Sequence, residues 1–66
     1  MKDPQVGEKW IHHSGRVYTV CMLTNTANSN PDYPVAVVYI GNNGNLWSRT
    51  LAGWHEKFTK FQEAPQ

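Results

Sequence analysis

Several features that point to particular protein classes are scarce or missing in this 66-residue chain. It has a single cysteine, Cys21, so it cannot form an internal disulfide, and a lone thiol among apolar residues is typical of a reducing compartment. No apolar run is long enough for a transmembrane helix or a secretory signal. Six Lys and Arg against five Asp and Glu leave a formal charge of +1, too balanced for binding that depends mainly on phosphate neutralisation. We therefore expect a cytoplasmic protein with no membrane partner.

Aromatic residues are what the chain does contain, with three Trp, three Tyr and two Phe. A domain this small buries only about 60% of the surface of its unfolded chain, so its core is small and its stability marginal. Aromatic side chains bury more area per residue than aliphatic ones, and a few of them can build such a core. We expect more than half of them to be structural, which leaves a minority for binding.

Short runs of β-branched and aromatic residues between turn residues predict an all-β domain. The predicted strands are 8–12, 16–24, 35–40, 46–50 and 59–62. Before the last strand, Leu51, Trp54 and Phe58 have the spacing of one face of a short α-helix or 3₁₀ turn. This order predicts a small SH3-like barrel of about five strands, in which no sheet edge stays exposed. The predicted divisions are a flexible N-terminal arm at 1–6, the barrel domain at 7–62 and a polar tail at 63–66.

The second predicted strand is apolar on both of its faces. Regular alternation puts Tyr18, Val20 and Met22 on one face, and Val17, Cys21 and Leu23 on the other. Such a strand is covered on both sides, as in a tightly curled barrel or at a contact between subunits. A homo-oligomer is therefore one of the arrangements that the sequence allows.

Two connections between strands are informative. Asn43-Gly44 favours a hairpin with a type I′ turn, which needs positive φ at both central residues. The ten-residue segment 25–34 (NTANSNPDYP) is rich in turn residues and long for so small a domain, and loops of this size often carry function. Tyr33 is its one aromatic residue, and we interpret it either as a lid over the end of the barrel or as a contact for a partner.

Trp47 and Arg49 are the main candidates for binding. They lie two positions apart on a predicted strand, so their side chains share a face. A guanidinium beside an indole suits a nucleobase with its phosphate, or an acidic peptide. In the alternative interpretation Trp47 belongs to the core, and Arg49 folds over it and pairs with Glu56.

Trp54, Trp10 and His12 complete the candidate contact residues. For His12, the other interpretation is a partly buried histidine that makes hydrogen bonds on the face that carries Trp10. A metal site is not expected, because His12 and His13 point to opposite faces of a strand and only one of them can join His55. The sequence also has no Cys-x-x-Cys or His-x-x-x-His spacing.

No arrangement of residues predicts catalysis or a cofactor. The acids are scattered, no Ser or Cys has a flanking signature, and the Gly/Asn run at 41–45 lies in a hairpin instead of opening a helix. Nucleic-acid binding stays open, with aromatic platforms and cations along the strands. The platforms are Trp10, Tyr39, Trp47 and Trp54, and the cations are Lys9, Arg16, Arg49, Lys57 and Lys60.

The chain resembles a family of small bacterial and phage-encoded proteins classed as a domain of unknown function. Members begin with Y-x-H-x-K-G, continue with a Y-x-V strand and end with L-W-x-R-P-L-x-x-F-x-E. The matching segments here are WIHHSG at 10–15, YTV at 18–20 and LWSRTL at 46–51, followed by Trp54, Glu56 and the Lys60-Phe61 pair. Ser14 stands where the family has Lys, and Thr50 where it has Pro. The resemblance implies a compact β-domain from a phage or prophage gene, and no mechanism.

From these observations we expect a non-enzymatic binding module. The first hypothesis is interaction with a host or phage protein through aromatic surface around Trp47, Arg49 and Trp54. The second is an oligomer that sequesters an anionic small ligand, such as a nucleotide signal, as phage proteins that counter host defence do. The third is weak binding to nucleic acid.

Overall fold

A computed structural model of the protein describes residues 3–27 and 30–61. Its elements are β1 (Lys9–His12), β2 (Val17–Thr24), β3 (Ala36–Ile40), β4 (Leu46–Thr50), α1 (Leu51–Lys57) and β5 (Phe58–Lys60). All the strands pair antiparallel in one sheet of order β4-β3-β2-β1-β5. The predicted all-β class, with five strands and one short helix before the last, is confirmed, and the sheet and helix form a small barrel-like globule.

The core lies between the inner face of the sheet and α1. Its buried residues are Trp10, Val20, Val37, Tyr39, Trp54 and Phe58, with Tyr18, Leu23 and Leu51 packed against them. The rings of Trp54 and Phe58 stack with centroids 3.8 Å apart, and Trp54 meets Tyr39 edge to face at 5.0 Å. Each such pair contributes about 0.5–1.5 kcal/mol beyond the area it buries. Aromatic side chains therefore supply most of the core, as the composition predicts.

A β-bulge in β2 decides which side chains face this core. The register with β3 shifts between Val20 and Met22, so one extra residue interrupts the alternation. Val20 pairs with Tyr39 on the buried face, and beyond the bulge Leu23 pairs with Val37 on that same face. Met22 is turned outward and is 51% exposed. The expectation that Met22 shares a face with Val20 is therefore wrong, because it assumed an unbroken strand.

The short helix is fixed at its start and through its buried face. The hydroxyl oxygen of Thr50 caps it by accepting a hydrogen bond from the Gly53 backbone N–H at 3.2 Å. Trp54 is fully buried, and Leu51 is packed against the same cluster. The spacing of Leu51, Trp54 and Phe58 thus predicts the buried face correctly. Within the described residues no helix has the length and apolar character needed to cross a membrane.

The segment before β1 packs against the sheet. Pro4 is buried, and the Nε2 atom of His55 lies 2.9 Å from a carboxylate oxygen of Asp3. The Gly7 N–H donates a hydrogen bond to the Val20 carbonyl at 2.9 Å. These contacts differ from the flexible arm expected at 1–6, because a proline with an apolar ring can fill a gap beside the core. Residues 1–2 of the predicted arm, residue 62 of the predicted barrel domain and the predicted tail at 63–66 lie outside the described residues.

The β3–β4 hairpin closes with a different turn from the expected one. The Gly44 N–H donates to the Gly41 carbonyl at 3.0 Å, and the Gly41 N–H donates to the Asn45 carbonyl at 3.1 Å. Gly44 has a φ of 83°, whereas Asn43 is outside the positive-φ region. The type I′ expectation is therefore wrong, and the pattern is a three-residue hairpin loop with its glycine in the left-handed region.

Candidate functional site

An open cleft of about 390 Å³ lies between the β1–β2 turn and the β3–β4 hairpin. Arg16 and Tyr18 line it from the start of β2, Asn42 and Asn43 from the hairpin, and Trp47 from β4. The volume is within the range of small-molecule sites in proteins. The lining combines two aromatic rings, a guanidinium and two amide side chains, which together can stack on a planar group and hydrogen-bond to polar substituents.

Glycines at both turns give the cleft its shape. Gly15 has a φ of 94°, which ends the first turn next to Arg16. Gly41 lies so close to Tyr18 that an added Cβ would be 3.0 Å from a carbon of the phenol ring. The absence of a side chain at Gly41 therefore lets the hairpin approach Tyr18 and close one wall of the cleft.

Trp47 is the most accessible tryptophan of the protein. It is 51% exposed, whereas Trp10 and Trp54 are 2% and 0% exposed. It pairs with the buried Tyr39 across β3 and β4, so it lies on the inner face of the sheet, at the margin of the aromatic cluster. No other aromatic ring of the described residues is paired with the Trp47 indole. Trp47 therefore presents an indole face that a planar ligand can cover.

Positive charge surrounds the neighbouring histidine. Burial lowers the pKa of His12 below its usual 6.5, and His13, Arg49, Lys57 and Arg16 lower it further by electrostatic repulsion. The His12 Nδ1 atom accepts a hydrogen bond from a backbone N–H, which also favours the neutral ring. The ring of His12 is 6.3 Å from that of Tyr18, and of the cations that act on His12 only Arg16 lines the cleft.

Two described acids are engaged with partners away from this cluster. A carboxylate oxygen of Glu8 is 2.8 Å from the Lys60 ammonium, and Asp3 is 2.9 Å from His55. The hydrogen bond from Lys60, with smaller contributions from the backbone and from Trp10, lowers the pKa of Glu8 to about 2. The cleft lining contains one charged residue, Arg16, and no acid.

Two of the predicted contact residues belong to the core. Trp54 and Trp10 are both buried and meet edge to face at 5.6 Å. Trp54 is held under the sheet by α1, and Trp10 lies on a central strand whose neighbours are β2 and β5. Their prediction as binding residues is wrong, because the apolar spacing that places Trp54 on a helix also turns it toward the core.

Arg49 shares a face with Trp47, as the strand alternation predicts, but it does not line the cleft. Its guanidinium carbon lies 5.6 Å from the centre of the Phe58 ring, and its Nε atom is 3.5 Å from the Tyr39 hydroxyl. Arg49 and Glu56 form no ion pair, so that part of the alternative interpretation is wrong. The position of Arg49 is mainly structural, since it covers one edge of the aromatic core.

His12 and Tyr33 also lie outside the cleft lining. His12 is half-buried, its Nδ1 atom is 2.9 Å from the Ser14 hydroxyl oxygen, and its ring packs at 5.0 Å against Phe58. This agrees with the interpretation of His12 as a partly buried, hydrogen-bonding side chain. Tyr33 is 56% exposed, which does not fit a lid that is itself packed on the barrel. Its loop is closed by the Asn25 side-chain amide, which donates to the Pro34 carbonyl at 3.0 Å.

Arg16, Asn42 and Asn43 were not expected in a common site. The sequence carries one signal that could have found them, since Arg16 follows Gly15 and the two asparagines lie between Gly41 and Gly44. Both segments are turns, and turns at one end of an antiparallel sheet meet in space. Within the described residues no three His, Cys, Asp or Glu side chains come together as metal ligands would. Comparison with known proteins gave no match to a family model, a curated protein or a solved structure. The family resemblance therefore stays a prediction.

Proposed function

We propose that the protein is a non-enzymatic binding module whose cleft takes an anionic ligand with a planar ring, of the nucleotide type. The single observation that carries the proposal is the exposed, ring-unpartnered indole of Trp47 in a cleft that also contains Arg16. An indole stacks on any base, and a guanidinium forks to a phosphate. Arg16, with no acidic residue in the same lining, favours a negative ligand over a neutral one.

The size and openness of the cleft favour a small ligand that binds weakly. A base stacked on Trp47 contributes about 1–3 kcal/mol. A charge-assisted hydrogen bond from Arg16 contributes about 1.5–3 kcal/mol. Together they give roughly 3–6 kcal/mol, which corresponds to a dissociation constant between a few millimolar and tens of micromolar. Tighter binding requires contacts beyond the described cleft, such as a second copy of the protein.

Nuclear magnetic resonance can test this proposal directly, because the three tryptophans give three indole N–H signals. We expect adenosine monophosphate to shift the Trp47 signal, assigned with the Trp47→Phe variant, while the signals of buried Trp10 and Trp54 stay in place. Adenosine alone should bind about tenfold or more weakly, since it lacks the charge. A Trp47 signal that stays unchanged with every nucleotide at about 50 mM, well above the dissociation constants estimated from stacking and charge, contradicts the proposal.

The contribution of Arg16 is tested by Arg16→Gln, with Lys9→Gln as the matched control. Both residues are exposed cations, but Lys9 does not line the cleft. We expect Arg16→Gln to weaken nucleotide binding about tenfold or more and Lys9→Gln to change it by less than about twofold. Equal effects of the two variants would mean that only general electrostatic attraction is at work.

Docking of an acidic protein segment is a second candidate function, and it uses the same cleft. The aromatic surface expected around Trp47, Arg49 and Trp54 is reduced to Trp47, because Trp54 is buried and Arg49 is engaged with Phe58. A host or phage protein that inserts an acidic side chain beside Arg16 fits the charge of the site. An acidic peptide that shifts the Trp47 signal when nucleotides do not would favour this candidate.

A role in the cytoplasm of a bacterial host, as a phage or prophage protein that sequesters a nucleotide signal, is part of the proposal. It draws on the family resemblance and on the ligand chemistry of the cleft. Weak nucleic-acid binding would use the same stacking and phosphate contacts, with a strand in place of a single nucleotide. It predicts that a single-stranded oligonucleotide binds more tightly than a mononucleotide and loses affinity steeply as salt rises.

A further inference from the structure

The outer face of the sheet, opposite the core, is apolar and uncovered among the described residues. We define it by the outward side chains Ile11, Val17, Met22, Val38, Ile40 and Leu46, which the register places on one side. Ile11 pairs with Val17, Met22 with Val38, and Ile40 with Leu46. Leu46 on β4 and Met22 on β2, two large apolar side chains of this one sheet face, are 65% and 51% exposed.

The outer face is also nearly free of charge. Among the outward positions of the five strands, Lys9 is the one charged residue, and it lies at the start of β1. The other outward polar residues are hydroxyl side chains such as Thr19 and Ser48, which lose little when they are covered. A charged partner would find no opposite charge on this surface and would bury its own charges unpaired. A neutral, apolar partner surface can cover the outer face without burying an unpaired charge.

We propose that the outer face binds the outer face of a second copy of this chain, to give a two-fold symmetric homodimer. A second copy supplies the complementary neutral, apolar surface, because a two-fold interface uses the same patch on both subunits. Trp47 and Tyr18 of the cleft belong to the inner face, and Val17 is the one residue that belongs both to the cleft lining and to the outer face. This inference is independent of the proposed ligand, because none of the outer-face residues that are argued to make the contact is needed for stacking or charge.

The area of the outer face predicts a weak dimer. Five strands spaced about 4.8 Å apart and about five residues long cover roughly 24 × 16 Å, or about 400 Å² per copy. The total of about 800 Å² is below the 1,200–2,000 Å² of typical stable complexes and is in the range of transient ones. We therefore expect a dissociation constant of about 10 µM to 1 mM, with rapid exchange between monomer and dimer.

The bulge in β2 is what gives the outer face its second protruding side chain. Without it, regular alternation would put Met22 on the core side with Val20. The shift turns Met22 outward, opposite Val38, where its unbranched chain can adapt to the surface of another subunit. Replacement of Met22 or Leu46 should therefore weaken the dimer most.

Sedimentation equilibrium between about 10 µM and 1 mM, the range of the expected dissociation constant, tests the proposal. The weight-average mass should rise from 7.5 kDa toward twice that value as the concentration increases. Leu46→Asp should raise the dissociation constant about tenfold or more, because each interface would then bury two carboxylates. Ala52→Asp is the matched control, since it adds the same charge at an exposed position of α1, away from the sheet face.

Met22→Asp provides a second, independent variant, and an amide spectrum of each variant shows that the fold is kept. A wild-type protein that stays monomeric over the whole range overturns the proposal. It is equally overturned if both outer-face variants dimerise as well as the wild type, or if Ala52→Asp weakens the dimer as much as they do. Titration of Leu46→Asp with adenosine monophosphate separates the two inferences, because loss of the dimer should leave the Trp47 signal shift intact.

Discussion

Replacing Trp54 by alanine should remove a large part of the stability of the whole domain. The indole is fully buried, stacked at 3.8 Å on Phe58 and edge-on to Trp10 and Tyr39. Truncating a buried Trp costs about 3–5 kcal/mol, from lost burial together with the cavity that remains. A chain of 66 residues has a total free energy of unfolding of about 3–10 kcal/mol. We therefore expect Trp54→Ala to lose about a third or more of this free energy, and to be unfolded at 25 °C if the total lies near the lower end of the range.

Trp47→Ala is the matched control, because it makes the same chemical change at a tryptophan that is 51% exposed. It should cost only about 1–2 kcal/mol, since about half of the indole is already in water and its loss leaves no closed cavity. Urea unfolding followed by circular dichroism gives both free energies. Equal losses for the two variants, or a stable Trp54→Ala protein that no longer binds nucleotide, would refute the assignment of Trp54 to the core.

Three further predictions follow from local interactions. Thr50→Ala should lower the free energy of unfolding by about 1 kcal/mol in urea titrations, because the Gly53 N–H loses its cap, whereas Thr50→Ser should be nearly neutral. Glu8→Gln should destabilise the protein at pH 7. The difference between its free energy of unfolding and that of the wild type should shrink between pH 4.5 and about 2, where the native carboxylate becomes protonated. A difference in free energy that is constant with pH contradicts this. Because the pKa of His12 lies below 6.5, acidification from that pH should destabilise the protein, and His12→Asn should flatten the slope of the urea midpoint with pH.

The sign of each pH effect follows from which state holds the proton. The folded-state pKa of Glu8 is lowered, so the unfolded chain binds more protons than the folded one between pH 4.5 and about 2, and stability falls as pH falls through that window. His12 behaves in the same direction at higher pH, because its unfolded form becomes charged before its folded form does. A wild-type urea midpoint that stays level below pH 6.5 would show that His12 is not desolvated.

The strands and the helix could be predicted from the sequence because their signals are local. β3 corresponds to the run of β-branched residues at 35–40, and α1 to the change of period that begins at Leu51. The same local rule identifies Trp54 as a core residue, since it lies on the apolar face with Leu51 and Phe58. Its assignment as a binding residue is wrong because it was made from the residue type alone, although the spacing already accounts for Trp54 as a core residue.

The cleft could not be predicted in the same way, because its residues meet only through the topology. Arg16 and Asn42 are separated by the whole of β2, a long loop and β3. The bulge in β2 has no clear sequence signature, yet it moves Met22 to the opposite face from the one that alternation gives. Non-local pairing and register therefore decided both surfaces on which the functional proposals rest, while local propensity decided the elements.

A small net charge is a poor guide to what this protein can bind. The value of +1 argues against a protein that tracks a phosphate backbone, and that argument holds for the chain as a whole. Two described carboxylates, however, contact Lys60 and His55 and do not line the cleft. The groups that shift the pKa of His12 electrostatically are all basic, and one of them, Arg16, lines the cleft. An anion in the cleft would pair with Arg16, so binding and folding should reinforce each other, and nucleotide should stabilise the wild type by more than it stabilises Arg16→Gln.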